Sequence, residues 1–403
     1  MKSVPPGLSD IFILRRAIIA LSAAAFGSGM SMRVADPMLV RLSSDFSIPL
    51  GMAAWVVTVF GFAYGVSQLF FGPLGDRYGK YLVIAWGCIA CAATAMLCGL
   101  VRDFSGLLIA RGLAGATAAA VIPLSMAWIG DVVPYEDRQS VLARFLVGQI
   151  LGLSTGVFVG GWCADYLDWR SPFYLIALWF LSIGVYLIHL NRSLPGNARL
   201  LHKAEGSAFA RLISEFRAVF SIPWTRTVLL IVFIEGGLVF IGLAFLPAHL
   251  HKVYELSLSS AGALVMLFGL GGLTFALASR ILVRRLGETG LTRYGGFLMG
   301  SALLVVAYSP QWWFTLPACL CFGLGFYMLH NTLQINATQM APERRGAAVA
   351  AFASCFFLGQ STGVAFGGVL LAFTSTDHLI AIAGLGVAFV GERFSRRLGS
   401  KPS

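Results

Sequence analysis

Charge is what this chain has least of. Asp, Glu, Lys and Arg make up 12% of its 403 residues, and only 18 of them are acidic. An ordinary soluble domain carries about 25% charged residues. With 58% hydrophobic residues and a mean hydropathy of +0.81, a soluble globular enzyme is excluded. No segment has room for a soluble catalytic domain beside the apolar runs. A Gly-rich phosphate loop ending in Lys-Ser/Thr is missing, which argues against ATP as the energy source. No nucleophile–base motif is present either. The seven cysteines all fall in apolar runs. Cys88 and Cys91 have the spacing of half a metal site, but no second ligand pair follows, so they read as small apolar side chains. No metal and no disulfide framework is expected.

The charges that exist are unevenly placed. The net charge is +11. If the apolar runs are membrane helices, the segments at the N-terminus, 74–81, 130–140, 191–226, 280–293, 341–346 and after 391 hold 22 of the 29 Lys and Arg. Arg41, Arg102, Arg170 and Lys252 lie on the opposite side. This positive-inside bias places both termini in the cytoplasm. No basic patch is interleaved with stacking aromatics, so nucleic acid is not an expected partner. Lys2, Arg15 and Arg16 precede Ala23 and Ala25, which are spaced like a signal-peptide cleavage site. The apolar run continues past them, so a retained helix is expected.

A bilayer-spanning helix needs about 20 mostly apolar residues. Twelve segments fit, near 16–40, 51–72, 81–101, 105–129, 142–164, 172–190, 224–249, 259–280, 292–309, 313–340, 346–372 and 377–392. The last is short. Helix is required because each run must satisfy its own backbone in lipid. The expected fold class is an all-α membrane protein of twelve transmembrane helices in two pseudo-symmetric six-helix bundles.

The chain also repeats itself. Ser154-Thr-Gly-Val-Phe-Val-Gly-Gly161 matches Ser361-Thr-Gly-Val-Ala-Phe-Gly-Gly368 at an offset of 207. Pro134-Tyr-Glu-Asp-Arg138 and Pro342-Glu-Arg-Arg345 precede the two copies. The repeat implies an N-terminal bundle over 1–190 and a C-terminal bundle over 224–403, joined by a linker over 191–223. Within the linker Phe209, Leu212, Ile213, Phe216 and Phe220 recur at helical spacing opposite Arg211, Glu215 and Arg217. That pattern predicts an amphipathic helix on the cytoplasmic membrane face.

Between the second and third runs stands Gly72-Pro-Leu-Gly-Asp76-Arg77-Tyr-Gly79-Lys80, expected on a short loop. It resembles the loop signature of the major facilitator superfamily, roughly G-x-L-x-D-R-x-G-[RK]. The resemblance extends over nearly the whole chain and implies a secondary transporter whose two halves rock about a midplane site. It implies gate roles for Asp76 and Arg77, with Gly72 and Gly79 allowing close helix approach. Lys80 completes the motif, and Asp131 is the expected partner of Arg77. Tyr81 stands where many members carry a second base. The matching loop of the second half, Arg284-Arg285-Leu-Gly287, has arginine where the acid would be, so a weaker second gate is expected.

Arg111, Arg33, Asp36 and Glu235 fall inside the runs. Arg111, in Arg111-Gly-Leu-Ala-Gly115, resembles the family's R-x-x-x-G signature associated with proton coupling. An arginine there costs on the order of 3 kcal/mol on insertion scales and needs a partner. Arg33 and Asp36 are three apart and lie at matching depth, so Asp36 pairs with either Arg33 or Arg111. Burial favours the neutral acid and a nearby cation favours the carboxylate, so helix movement or substrate can tip its protonation. Pro37 loosens the helix beside it. Glu235 is the deepest acid, followed by Gly236-Gly237, with no obvious basic partner in its half.

Two further patterns concern the cavity and the packing. In the tenth run Tyr327, His330, Asn331, Gln334 and Thr338 form a polar stripe expected to face the cavity. Asn336-Ala-Thr338 matches a glycosylation pattern but lies in an apolar run. Gly152, Gly156, Gly160 and Gly161, with Gly363 and Gly367 in the second copy, resemble the antiporter signature G-x-x-x-G-P-x-x-G-G and let helices touch. Val157 replaces its proline.

The reading that follows is proton-driven export of a small organic molecule, similar to the drug/proton antiporter branch, with no enzyme activity. Asp36 and Glu235 carry the proton, Arg33 and Arg111 modulate Asp36, and no cofactor beyond the proton gradient is needed. The expected partners are the substrate, protons and the lipid bilayer, in a monomer of the cell inner membrane. A sugar or metabolite transporter of the same fold is the alternative. A non-transporting sensor or scaffold is the reading from a different class.

Overall fold

A computed structural model describes residues 8–199 and 208–399. Lys2 and the linker segment 200–207 lie outside the described residues, as do the side chains of Phe209, Arg211 and Leu212. The described chain is helical, with no strands. The N-terminal half holds α1 (Leu8–Arg33), α2 (Leu39–Asp45), α3 (Leu50–Ala53), α4 (Trp55–Tyr78), α5 (Lys80–Leu100), α6 (Phe104–Ala118), α7 (Val121–Val132), α8 (Tyr135–Tyr166) and α9 (Ser171–Ser193). A linker helix, α10 (Ala208–Ser221), leads to α11 (Pro223–Tyr254), α12 (Leu258–Tyr308), α13 (Thr315–Gln339), α14 (Arg345–Leu370) and α15 (Thr376–Gly399).

Among the described residues eleven stretches are long and apolar enough to cross a membrane. One of them, α12, contains two crossings, because Gly287 at φ 60° and ψ −177° breaks it. Twelve crossings result, six in each half. The last helix is not short: it runs to Gly399, beyond the apolar segment that composition delimits. Its final turns carry Arg393, Arg396 and Arg397 outside the apolar stretch.

Two crossings are interrupted. The first ends at Arg33 and resumes at Leu39, because Pro37 has no N–H for the Arg33 carbonyl, which accepts from Asp36 N (3.3 Å) instead. The fourth breaks at Ala119-Ala120. The motif at 72–80 is not a loop. It stays helical to Tyr78, and Gly79 alone turns the chain at φ 91°. Lipid offers backbone groups no partner outside the helix, so the helix persists until a left-handed residue ends it. Gly79 and Gly287, 208 residues apart, are the described glycines at positive φ.

The same offset relates helix contacts. A β-carbon on Gly152 would collide with the Phe26 carbonyl oxygen, and one on Gly359 with that of Phe233; each partner is 207 residues from its mate. Gly115 against Phe60 and Gly323 against Phe268 repeat the relation at 208. The two halves therefore pack their helices alike, through backbone contacts that tolerate no side chain.

Candidate functional site

Between the halves lies a cavity of about 1980 Å³. It reaches the face that carries most of the bases, where Asp76, Arg77, Lys80, Arg138 and Arg345 line its mouth with Glu215 and Phe216 of α10. In α10 itself Val219 is buried, while Ile213 and Phe220 are exposed. At the opposite face the halves meet. Gly51 there lies backbone to backbone with Gly368, and Gly161 with Leu258. The cavity is thus open to the basic face and sealed at the other.

Its deep wall is mostly aromatic, with Tyr64, Phe240, Phe268, Phe326, Phe356 and Phe357 among the lining residues. Of the polar stripe, Tyr327, His330 and Gln334 also line it, and Thr338 does not. Nor does Asn331. It is offset by a single residue from His330, about 100° around the helix, and points away from the wall. Asn336 is buried, which removes it as a glycosylation acceptor.

Asp36 pairs with Arg33 at 2.7 Å, and both are buried. Arg111 makes no carboxylate contact and does not snorkel to the surface. It is fully buried, donating from Nη1 to the Ser31 carbonyl (3.0 Å) and from Nε to the Val56 carbonyl (3.3 Å), with its guanidinium 4.2 Å from the Phe60 ring centre. Those carbonyls lie just before the helix breaks at 34–38 and within α4, so Arg111 fastens the interrupted first crossing to the second.

Glu235 does have a basic partner. His330 Nδ1 lies 3.0 Å from its Oε2. The imidazole sits among Phe326 (4.9 Å, stacked), Phe356 (4.5 Å) and Phe352 (5.5 Å). Sequence inspection missed this pair because the residues are 95 apart and only the packing of α11 against α13 joins them. Arg33 and His330 reach the cavity wall, whereas Asp36 and Glu235 do not. Each acid is covered by its base.

At the mouth, Asp131 is met by Lys80 (2.6 Å) rather than by Arg77, and Lys80 also lies 3.6 Å from Asp76. Arg77 rests over the Tyr78 ring at 5.2 Å. Lys80 opens α5 directly after the Gly79 turn and so faces the end of α7, whereas Arg77 is still on α4. Gly72 is not a close-approach residue, since a β-carbon there meets nothing within 4 Å. The tight position is Gly75, where a β-carbon would lie 2.7 Å from Leu124 Cδ2. Gly79 makes the turn between α4 and α5, at φ 91°.

The second half has a matching contact of other chemistry. Glu288, directly after Gly287, accepts from Asn336 Nδ2 (3.2 Å) as Lys80, directly after Gly79, meets Asp131. The Arg284-Arg285 pair is exposed.

Gly152, Gly156 and Gly160 face carbonyls of the first crossing, Gly363 faces Gly237, and Gly367 faces the Phe245 ring. His249, buried with Nδ1 on Thr376 (2.9 Å) and Nε2 on the Val306 carbonyl (3.1 Å), is satisfied within the core. Among the described residues no group of His, Cys, Asp and Glu is arranged to hold a metal.

Two six-helix halves around a cavity open at one face are the architecture of a membrane transporter, not of an enzyme. Residues 21–364 match the Major Facilitator Superfamily, and the chain belongs to that family. It is 25% identical over 356 residues to "Uncharacterized MFS-type transporter YceJ" of Bacillus subtilis (strain 168), covering 87% of each chain. It is 28% identical over 174 residues to "Multidrug export protein EmrB" of Haemophilus influenzae, 43% of this chain and 34% of that protein. In fold it is similar to a mutant of the nucleoside transporter NupG, with a TM-score of 0.76 at 13% identity, covering 96% of this chain and 100% of that one.

Proposed function

We propose that this multi-pass membrane protein is a proton-coupled exporter that exchanges a small organic molecule for protons. The observation that carries the reading is the pair of buried acid–base contacts, Asp36–Arg33 in one half and Glu235–His330 in the other, each with its base on the cavity wall. An ionised acid buried in a membrane is retained only with a partner. A substrate that competes for Arg33 or His330, or a change in helix position, alters what each acid feels and thus its proton occupancy. The aromatic wall suits a largely apolar molecule. The likeness to EmrB, a multidrug export protein, supports efflux.

The basic face is the cytoplasmic one in this reading, by the positive-inside rule. Both termini then lie in the cytoplasm, α10 runs along that membrane surface, and the protein works as a monomer in the inner membrane. Asp76, Lys80 and Asp131 form the gate on that side, and residues 191–223 link bundles at 1–190 and 224–403. The energy source is the proton gradient alone. A sugar or metabolite exchanger is favoured instead if Gln68, Gln149 and Gln334 on the wall prove to hold the substrate.

The test is proton movement in proteoliposomes under an imposed pH gradient. Lipophilic cations, neutral antibiotics, sugars and amino acids are screened in turn. Discharge by one class, lost in Asp36→Asn, supports antiport. Solute exchange without proton movement refutes the coupling.

A further inference from the structure

α8 and α12 belong to different halves and cross near the sealed face. Gly161 there lies against the Leu258 carbonyl, and a β-carbon on Gly262 would come within 2.7 Å of the Val157 carbonyl oxygen. The two helices stay packed as far as Gly269, where a β-carbon would collide with Ser154 Oγ, and Gln149, Ser154 and Phe268 line the cavity beside that contact.

At the sealed end Asp165, in the last turn of α8, reaches across the boundary. Its Oδ1 accepts from Leu258 N (3.1 Å) and its Oδ2 from Ser259 N (2.6 Å). These are the first two amides of α12, and the third, Ser260 N, donates to Ser257 Oγ (3.1 Å). The first four N–H groups of a helix have no partner inside it, and they carry the positive end of its dipole. A carboxylate from the other half meets that need only while this face is closed.

We propose that Asp165 is a latch that holds the sealed face shut while the cavity is open to the basic face. Opening the sealed face breaks both hydrogen bonds. Asp165 does not line the cavity, so it acts by positioning the halves and not by touching substrate. The inference rests on the transporter reading, in which the cavity must open at each face in turn.

The latch is one-sided. The position equivalent to Leu258 in the first half is Leu50, which begins α3 after Pro49 at φ −59° and ψ 148°, much as Leu258 follows Ser257 at φ −58° and ψ 153°. The position equivalent to Asp165 is Ala372, which has no carboxylate. The second seam, Gly51 against Gly368, is closed by backbone contact. The halves are therefore held at one seam by a charged bond and at the other by packing alone.

Two substitutions attack the latch from opposite sides. Asp165→Asn removes the charge and one acceptor. Leu258→Pro removes one donor with no change of charge; proline is accepted at the first helical position, and the conformation of Ser257 suits a residue before proline. Hydrogen–deuterium exchange of the full-length protein in lipid nanodiscs reads the result. Both variants are expected to speed exchange at residues 50–58 and 362–370, the far seam, by about tenfold, which corresponds to ~1.4 kcal/mol. Exchange at 72–78 is expected to slow as the basic face closes. Faster exchange confined to 258–260 means a local helix cap and overturns the latch. Unchanged exchange everywhere overturns it as well. These outcomes are independent of substrate and proton flux, so a failed latch leaves the export reading to be judged by the proteoliposome assay.

Discussion

Arg33 and Phe240 occupy equivalent places in the two halves, 207 residues apart, and they meet. The guanidinium carbon of Arg33 lies 5.2 Å from the centre of the Phe240 ring. The repeat that packs the helices alike is broken at the residues that carry charge. Asp36 corresponds to Leu243, Glu235 to Ser28, and, at the 208 offset, Arg111 to Cys319 and His330 to Ile122. The shared scaffold supplies shape, and the departures from symmetry supply the ionisable groups. Because Arg33 touches Asp36 in its own half and Phe240 in the other, a change in Asp36 is felt at the junction of the halves.

Removing Asp36 strands a buried guanidinium. Asp36→Asn is expected to abolish substrate-dependent proton movement and to lower stability by ~3–5 kcal/mol, the usual cost of breaking a buried pair from one side. Adding Arg33→Gln should recover part of the stability without recovering coupling. Thermal unfolding beside proton flux in proteoliposomes checks both; equal stability of the single and double variants would sink the pairing.

Glu235 and His330 should act as one unit. Glu235→Gln and His330→Gln are each expected to remove the same component of substrate-induced proton exchange, and the double variant should lose little more. Additive losses in the two single variants would mean separate roles.

At the gate, Lys80 is expected to matter more than Arg77. Lys80→Gln and Asp131→Asn should change turnover several-fold and to a similar extent, with stability altered by less than ~1 kcal/mol because the pair is partly exposed. Arg77→Gln, which removes only a ring contact, should change turnover less. Transport rates for the three variants decide, and a larger loss in Arg77→Gln would return the gate role to Arg77.

The glycines divide by contact, not by motif. Gly152→Ala and Gly359→Ala are each expected to destabilise by ~1–3 kcal/mol or to prevent folding, since the added carbon meets a neighbouring carbonyl. Gly72→Ala, with open space around it, should leave transport intact and stabilise the helix by ~0.5–1 kcal/mol. Denaturation midpoints of the three proteins check the ordering.

Much of the fold was legible in the chain. The apolar runs mark the crossings because lipid leaves a backbone no other solution, and the copies at 154–161 and 361–368 mark the halves because equivalent helix contacts demand the same small residues. Boundaries were less legible where helices outrun the apolar stretch, as at Tyr78 and Gly399. Hydropathy reports where lipid is, not where hydrogen bonding stops.

The sequence by itself determined that this is a twelve-crossing membrane protein with a repeated half and a few intramembrane charges. Composition, run length and local spacing are properties of the chain, and physical chemistry converts them directly into helices in a bilayer. Only the tertiary structure decided which charges meet: Asp36 with Arg33 and not Arg111, Glu235 with His330, Asp131 with Lys80, Asp165 with the start of α12. Those choices depend on how helices distant in sequence turn toward one another, and that is set by the glycine contacts of the assembled bundle, which no short stretch of sequence contains.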